Sequence, residues 1–132
     1  MYYLDSNICI FFLNGKYRSI QEHLEGLKSD QIRIPAIVKA ELLTGAYKSV
    51  RRERNMMLLN AFLKNFRIES FVDQMTYTYA DIRSDLEKAG MRIGPNDLII
   101  ASTVLYNNGI LVTNNIKEFE RVKGLRVEDW TR

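Results

Sequence analysis

Residues 94–115 read GPNDLIIASTVLYNNGILVTNN, and this stretch decides the fold class. Gly94-Pro95-Asn96-Asp97 has the chemistry of a helix start, because proline is pre-set for the first turn. The apolar residues Leu98 to Ala101, Val104 and Leu105 carry that helix forward. Ile110-Leu111-Val112 is then apolar at every position rather than at alternate ones, so both faces of this strand are expected to be covered, as in a parallel sheet between helices. Thr113-Asn114-Asn115 ends the strand and leads into a short helix reaching Phe119.

The same alternation runs through the rest of the chain. Tyr2-Tyr3-Leu4 is a short apolar run ending at Asp5, and Asp5-Ser6-Asn7 suits a strand end followed by a helix cap. After Ile8 to Leu13 and an Asn14-Gly15 turn, Ile20, Leu24 and Leu27 recur at helical spacing and predict a surface helix. Ile32-Arg33-Ile34 alternates and stops at Pro35, which suits the first position of a helix carrying Ile37, Val38, Leu42 and Gly45. Met56, Leu59 and Leu63 mark a further helix, and Phe66 to Val72 a strand of period two. Val72, Met75, Tyr79, Ile82, Leu86 and Ala89 mark a long amphipathic helix ended by Gly90. Leu125 to Trp130 alternates once more. Strands alternating with helices predict an α/β domain with a mainly parallel sheet, and no linker or repeat divides residues 1–132, so one domain is expected.

Composition narrows the function classes. With 46% hydrophobic and 27% charged residues, the 132-residue chain lies in the ordinary globular range, which excludes disorder, collagen-like repeats and coiled coil. No apolar run approaches the roughly 18 residues a spanning helix needs, so no membrane role is expected. The single cysteine, Cys9, and an opening Met-Tyr-Tyr-Leu-Asp without a basic-then-apolar leader point to a reduced, cytoplasmic setting. Nineteen Lys plus Arg against sixteen Asp plus Glu give a net charge of +3, which tolerates a polyanionic partner without requiring one.

Chemistry is expected just beyond the carboxyl ends of the strands, where ligands sit in open parallel sheets. Asp5, Glu41 and Asp97 each supply a carboxylate from a different element. Glu41 is the most informative, because positions 34, 37, 38, 42 and 45 around it are apolar or glycine, and a charge there faces the core or a crevice. Gathered carboxylates repel unless a divalent cation sits among them, and hard oxygen ligands favour Mg²⁺ or Mn²⁺. Taken singly, Asp5 and Asp97 are also good helix caps and Glu41 could pair with a Lys or Arg. Caps do not account for a glutamate on an apolar stripe.

Four segments together carry a family resemblance: Asp5-Ser6-Asn7 after the opening strand, Ile34-Pro35-Ala36 followed by Ala40-Glu41-Leu42-Leu43-Thr44-Gly45, Gly94 to Ala101, and Thr113-Asn114-Asn115-Ile116-Lys117-Glu118-Phe119. In order and spacing they resemble a PIN domain, specifically a VapC-type toxin ribonuclease, along essentially the whole chain. The resemblance implies a five-stranded sheet flanked by helices, metal-dependent RNA cleavage with tRNA as the leading substrate, a symmetric homodimer, and neutralisation by a small VapB-type antitoxin. It places the family's three invariant acids on Asp5, Glu41 and Asp97, with Asp5 and Asp97 as direct metal ligands. The fourth acidic position falls on Asn115, an amide where many relatives carry Asp, or on Glu118. Thr113 and Ser6 resemble hydroxyls that orient the carboxylates, and Asn7 an amide bonded near Asp5. On this reading a metal-activated water attacks phosphorus in line and leaves a 5′-phosphate and a 3′-hydroxyl.

The remaining residues say less. A lone histidine, His23, rules out a histidine pair acting through the ribose 2′-hydroxyl within one chain, and its helical pattern reads as solvent-facing. Lys48, Arg51, Arg52 and Arg54 could follow RNA phosphates, although such runs are more often a solvated face. The apolar stripe between Asp73 and Gly90 suggests more apolar surface than one domain buries, in line with a dimer. Two other classes remain open: a Mg²⁺-binding receiver domain, which would want an Asp pair after the first strand and has only Asp5, and a non-catalytic interaction module, which would not need the acids.

Overall fold

A computed structural model describes residues 1–132. The elements in chain order are β1 (Tyr2–Leu4), α1 (Ser6–Leu13), α2 (Arg18–Glu25), a 3-10 turn (Ser29–Gln31), β2 (Ile32–Pro35), α3 (Ala36–Lys48), α4 (Arg52–Leu63), β3 (Arg67–Glu69), α5 (Met75–Lys88), α6 (Pro95–Tyr106), β4 (Ile110–Val112), α7 (Ile116–Phe119) and β5 (Arg126–Glu128). All four strand pairings are parallel, in the order β3-β2-β1-β4-β5. The chain therefore builds outward from β1 on one side, then returns to β1's other side with β4. That reversal opens a crevice at the carboxyl ends of β1 and β4, the usual ligand position in such sheets.

The core is built as the patterning requires. Leu4, Ile34, Leu111 and Val112 are fully buried in the central strands, under Ile8, Val38, Ile100, Ala101 and Val104 from the helices. Cys9 is buried too, and its thiol pKa is pushed up by that burial and then by the charge of Asp5. No helix is long and apolar enough to cross a membrane.

Several local expectations are corrected. Pro35 is the last residue of β2, paired in register with Glu69, and α3 begins only at Ala36. The strand expected from Phe66 to Val72 shrinks to Arg67–Glu69, because β3 is an edge strand whose sole partner, β2, ends at Pro35 and turns into α3. Phe71 and Val72 beyond it are exposed. The stripe between Asp73 and Gly90 does not supply the surplus apolar surface: Met75, Ile82 and Leu86 are buried, with α5 packed on α6. Exposed large apolar side chains gather on α1, α3 and α4, at Ile10, Leu13, Tyr47, Met57 and Leu58, with Val50 between α3 and α4, and a second set lies around α5 at Phe71, Val72, Tyr77 and Met91, with Tyr77 outside the buried stripe. His23 is exposed as expected, yet its ring stacks on buried Trp130 at 4.7 Å, and Ser19 ties the same segment down through a bond to the Trp130 carbonyl.

Candidate active site

Asp5 continues β1 in extended conformation, and its N–H donates to the Val112 carbonyl at 3.0 Å, which carries β1–β4 pairing into the crevice. Its carboxylate is used on both oxygens: Oδ1 accepts from the Ser6 N–H at 2.7 Å and Oδ2 from the Thr113 hydroxyl at 2.8 Å. Asp5 is only 7% exposed. Burial raises its pKa, the bonds from Thr113 and Ser6 pull the other way, and the charges of Glu41 and Glu118 add to the rise, so the net direction is upward.

Glu41 stands in the second turn of α3. The Ser6 hydroxyl donates to its Oε1 at 2.5 Å, the length of a charge-assisted bond, and the Asn96 amide donates to Oε2 at 3.3 Å. One residue from α1 and one from α6 thus fix a carboxylate that the apolar stripe delivers to the crevice.

Asp97 is the third residue of α6, whose cap position belongs to Gly94, so it is not the helix cap its sequence position allows. Burial first, then the charges of Asp5 and Glu118, then a bond to Glu118 and the charge of Glu41, push its pKa up to about 7. Glu118, on α7, moves oppositely. Burial acts to raise its pKa but is outweighed by bonds from the Gly94 N–H at 2.8 Å, from the Asn115 amide at 2.7 Å and from Asp97, helped by Arg121, so the net shift is downward. The two adjoining carboxyls are thus pushed in opposite directions, Asp97 toward its protonated form and Glu118 toward its charged form.

Asp5, Glu41, Asp97 and Glu118 therefore meet at one crevice, with Thr113 and Ser6 on the first two and Asn115 on the fourth. Asn115 and Glu118, alternatives for one role in the sequence, act here as a bonded pair. Asn7 does not join them: it is exposed and its side chain makes no hydrogen bond. The basic run is also elsewhere. Lys48 ends α3, about 10 Å farther along the helix axis than Glu41 at 1.5 Å per residue, and Arg52 lies over the Tyr47 ring at 3.9 Å. Sequence reasoning missed Asn96 and the Gly94 N–H. Both sit inside the quoted Gly94 to Ala101 segment, but only the folded chain shows what they bond.

The donor set fits a hard divalent cation. The ion pairs of the chain are Arg18–Glu22, Arg33–Glu69, Arg83–Glu87 and Arg132–Asp129, and none involves the four acids. None of the four acids is therefore ion-paired, and the one protein cation whose charge reaches the cluster is Arg121, acting on Glu118. No three of its side chains lie close enough to enclose an ion by themselves, so a cation held here would keep water ligands beside the carboxylates.

The raised Asp97 pKa sets a pH dependence opposite to that of an ion-paired acid. A carboxyl whose folded pKa is raised favours folding fully below its unfolded value, 3.8, and loses that contribution as pH climbs to about 7. Without metal, the melting temperature should fall across this window, and Asp97→Asn should flatten the slope. Melts in chelator at pH 5 and pH 8 check it; a wild-type slope in the variant would remove Asp97 as the source.

Residues 2–125 match the PIN domain family. The chain is 43% identical over 133 residues to Ribonuclease VapC2 of Rickettsia felis, covering 100% of this chain and 99% of the relative. It is 35% identical over 127 residues to the tRNA(fMet)-specific endonuclease VapC of Salmonella typhimurium, covering 96% of each. The solved structure of VapBC2 from Rickettsia felis bound to a DNA fragment from their promoter superposes with a TM-score of 0.92 at 43% identity, over 98% of each chain.

Proposed function

This chain belongs to the PIN domain family, in its VapC ribonuclease group, and from that membership we propose that residues 1–132 act as one catalytic domain. It is a cytoplasmic endoribonuclease toxin that cleaves tRNA and is held in check by a VapB-type antitoxin. The observation that carries this is the convergence of four carboxylates, none of them ion-paired, at the β1–β4 switch point. PIN-domain nucleases depend on divalent metal; here the ion is Mg²⁺ or Mn²⁺, held directly by Asp5 and Asp97, with Glu41 bound directly or through water.

The cation would supply the charge that acidifies the attacking water and offsets the negative charge on the leaving 3′-oxygen. The protein's part is preorganisation. Thr113 and the Ser6 N–H hold Asp5 in one orientation, Ser6 and Asn96 do the same for Glu41, and Asn115 with the Gly94 N–H fixes Glu118. Asp97 holds a proton against Glu118 at low pH and releases it near pH 7, when both oxygens become free as ligands. Incubating the purified protein with unfractionated tRNA and Mg²⁺ or Mn²⁺, then sequencing the new ends, tests the reading. New 5′-phosphate and 3′-hydroxyl ends support it; 2′,3′-cyclic phosphate ends sink it.

The antitoxin reading rests on a second feature. A cleft of about 360 Å³ opens between α1, α3 and α4, lined by Ile10, Leu13, Leu42, Leu58 and Leu59, and it reaches Glu41 at one end. An amphipathic segment seated there has its end at the acidic crevice. The relative from Rickettsia felis was solved as a VapBC complex.

The toxin is a homodimer on this reading. Light scattering of the isolated protein at micromolar concentration should report twice the 15.4 kDa chain mass, and a monomer would refute the assignment.

A further inference from the structure

An acidic crevice repels the phosphates it has to cleave, so an RNA must be held by cations beside it. The loop entering α6 carries one, Arg92, and the turn after α7 carries the other, Arg121. The Arg121 guanidinium donates from Nη1 to the Arg92 carbonyl at 2.7 Å, and the Gly94 N–H two residues on donates to Glu118 at 2.8 Å. These two bonds strap residues 92–94 to the α7 segment, so Arg92, Arg121 and Glu118 form one unit. Arg121 is near enough for its charge to act on Glu118. Both arginines are exposed and neither closes an ion pair, although the charge of Arg92 reaches Glu87 and that of Arg121 reaches Glu118. Arg92 also borders a cleft lined by Tyr79, Glu87, Ile93, Pro95 and Leu98, whose last two residues flank Asn96 and Asp97 on α6. The neighbouring Arg83 is different: its guanidinium is already committed to Glu87 at 2.8 Å and to Tyr79.

We propose that Arg92 and Arg121 form the phosphate-binding rim of the active site, gripping the RNA backbone next to the scissile bond on the α7 side. Guanidinium forks match phosphate oxygens in pairs, and the strap holds them in fixed register with the acids. The basic run at Lys48, Arg51, Arg52 and Arg54 then lies off the main path. This inference rests on the ribonuclease reading above.

The test is RNA binding as a function of salt. Catalytically silenced Asp5→Asn protein is titrated into labelled tRNA between 50 and 200 mM KCl, with and without Arg92→Gln and Arg121→Gln together. Each lost phosphate contact lowers the slope of log affinity against log salt by about 0.7 to 0.9. The double variant should therefore show a slope shallower by roughly 1.5 and bind about tenfold or more weakly at low salt. In otherwise wild-type enzyme the same pair should raise KM far more than it lowers kcat. Arg121→Lys keeps the charge but not the planar fork, so it should retain the slope; a purely structural strap would lose stability in that variant and leave the salt slope of the double variant unchanged. Wild-type affinity and slope in the double variant, or a slope change confined to Gln substitutions at Lys48, Arg51, Arg52 and Arg54, would overturn the rim. If the parent protein neither binds nor cleaves RNA, the ribonuclease reading falls and this inference with it. Cleaving parent enzyme with an indifferent double variant removes the arginines alone.

Discussion

Asp5→Asn should lower RNA cleavage by at least about 10²–10³-fold, the loss seen when one preorganised electrostatic group is removed, while the metal-free protein melts at the same temperature or higher. The two halves have one cause. Asp5 is buried, its charge is opposed by Glu41 and Glu118, and nothing in the protein neutralises it. An asparagine of the same shape can still accept from the Ser6 N–H through its carbonyl oxygen. Its amide faces Thr113, whose hydroxyl oxygen has lone pairs to receive it. The substitution therefore removes repulsion and desolvation cost from the fold, and removes a direct ligand from the reaction. Cleavage assays at saturating Mg²⁺ together with melts in chelator measure both. Wild-type cleavage would show that Asp5 is not a ligand, and a large fall in melting temperature would make the charge structural.

Leu58→Asp should weaken antitoxin binding by about 10²-fold or more, with RNA cleavage by the free toxin unchanged. Leu58 is 51% exposed in the isolated chain and lines the cleft between α1, α3 and α4. A carboxylate is cheap there while water reaches it. Seating an apolar segment over it buries an unpaired charge, which costs roughly 3–5 kcal/mol. Leu58 stands on α4, which carries none of the four acids, and no hydrogen bond of those acids passes through it. Calorimetric titration of antitoxin into both proteins reads the effect. Equal affinities would show that the antitoxin bypasses the cleft and covers the crevice alone.

Much of this protein is legible in the chain itself. A strand apolar at every position, Ile110–Val112, flanked by helices with one-sided stripes, has few solutions other than a covered parallel sheet, because each face must be buried by something. Glu41 betrays itself for the same reason: a lone carboxylate on an apolar stripe is costly unless a site needs it. Asp5 follows from its place just beyond the opening strand, where side chains converge at the carboxyl edge of such a sheet, whereas Glu118 comes only from the likeness of its segment to the PIN-domain pattern.

Other features depended on which distant segments meet. The length of β3 is set by where β2 turns at Pro35, not by the alternating residues Phe66 to Val72. The buried stripe of α5 is covered by α6, which leaves α1, α3 and α4 with the largest group of exposed apolar side chains. Asn96 reaches Glu41 across 55 residues of sequence, Arg121 reaches Arg92 across 29, and Thr113 reaches Asp5 across 108. By itself, the sequence determined the element types, the parallel sheet and the identity of the acids, because burial periodicity and turn chemistry act over a few residues. Only the tertiary structure decided that Asp97 and Glu118 are pushed in opposite directions by one another, that Asn7 stands apart and that Arg121 bonds the loop entering α6. Those outcomes hang on distances between side chains from separate elements, which no local preference encodes.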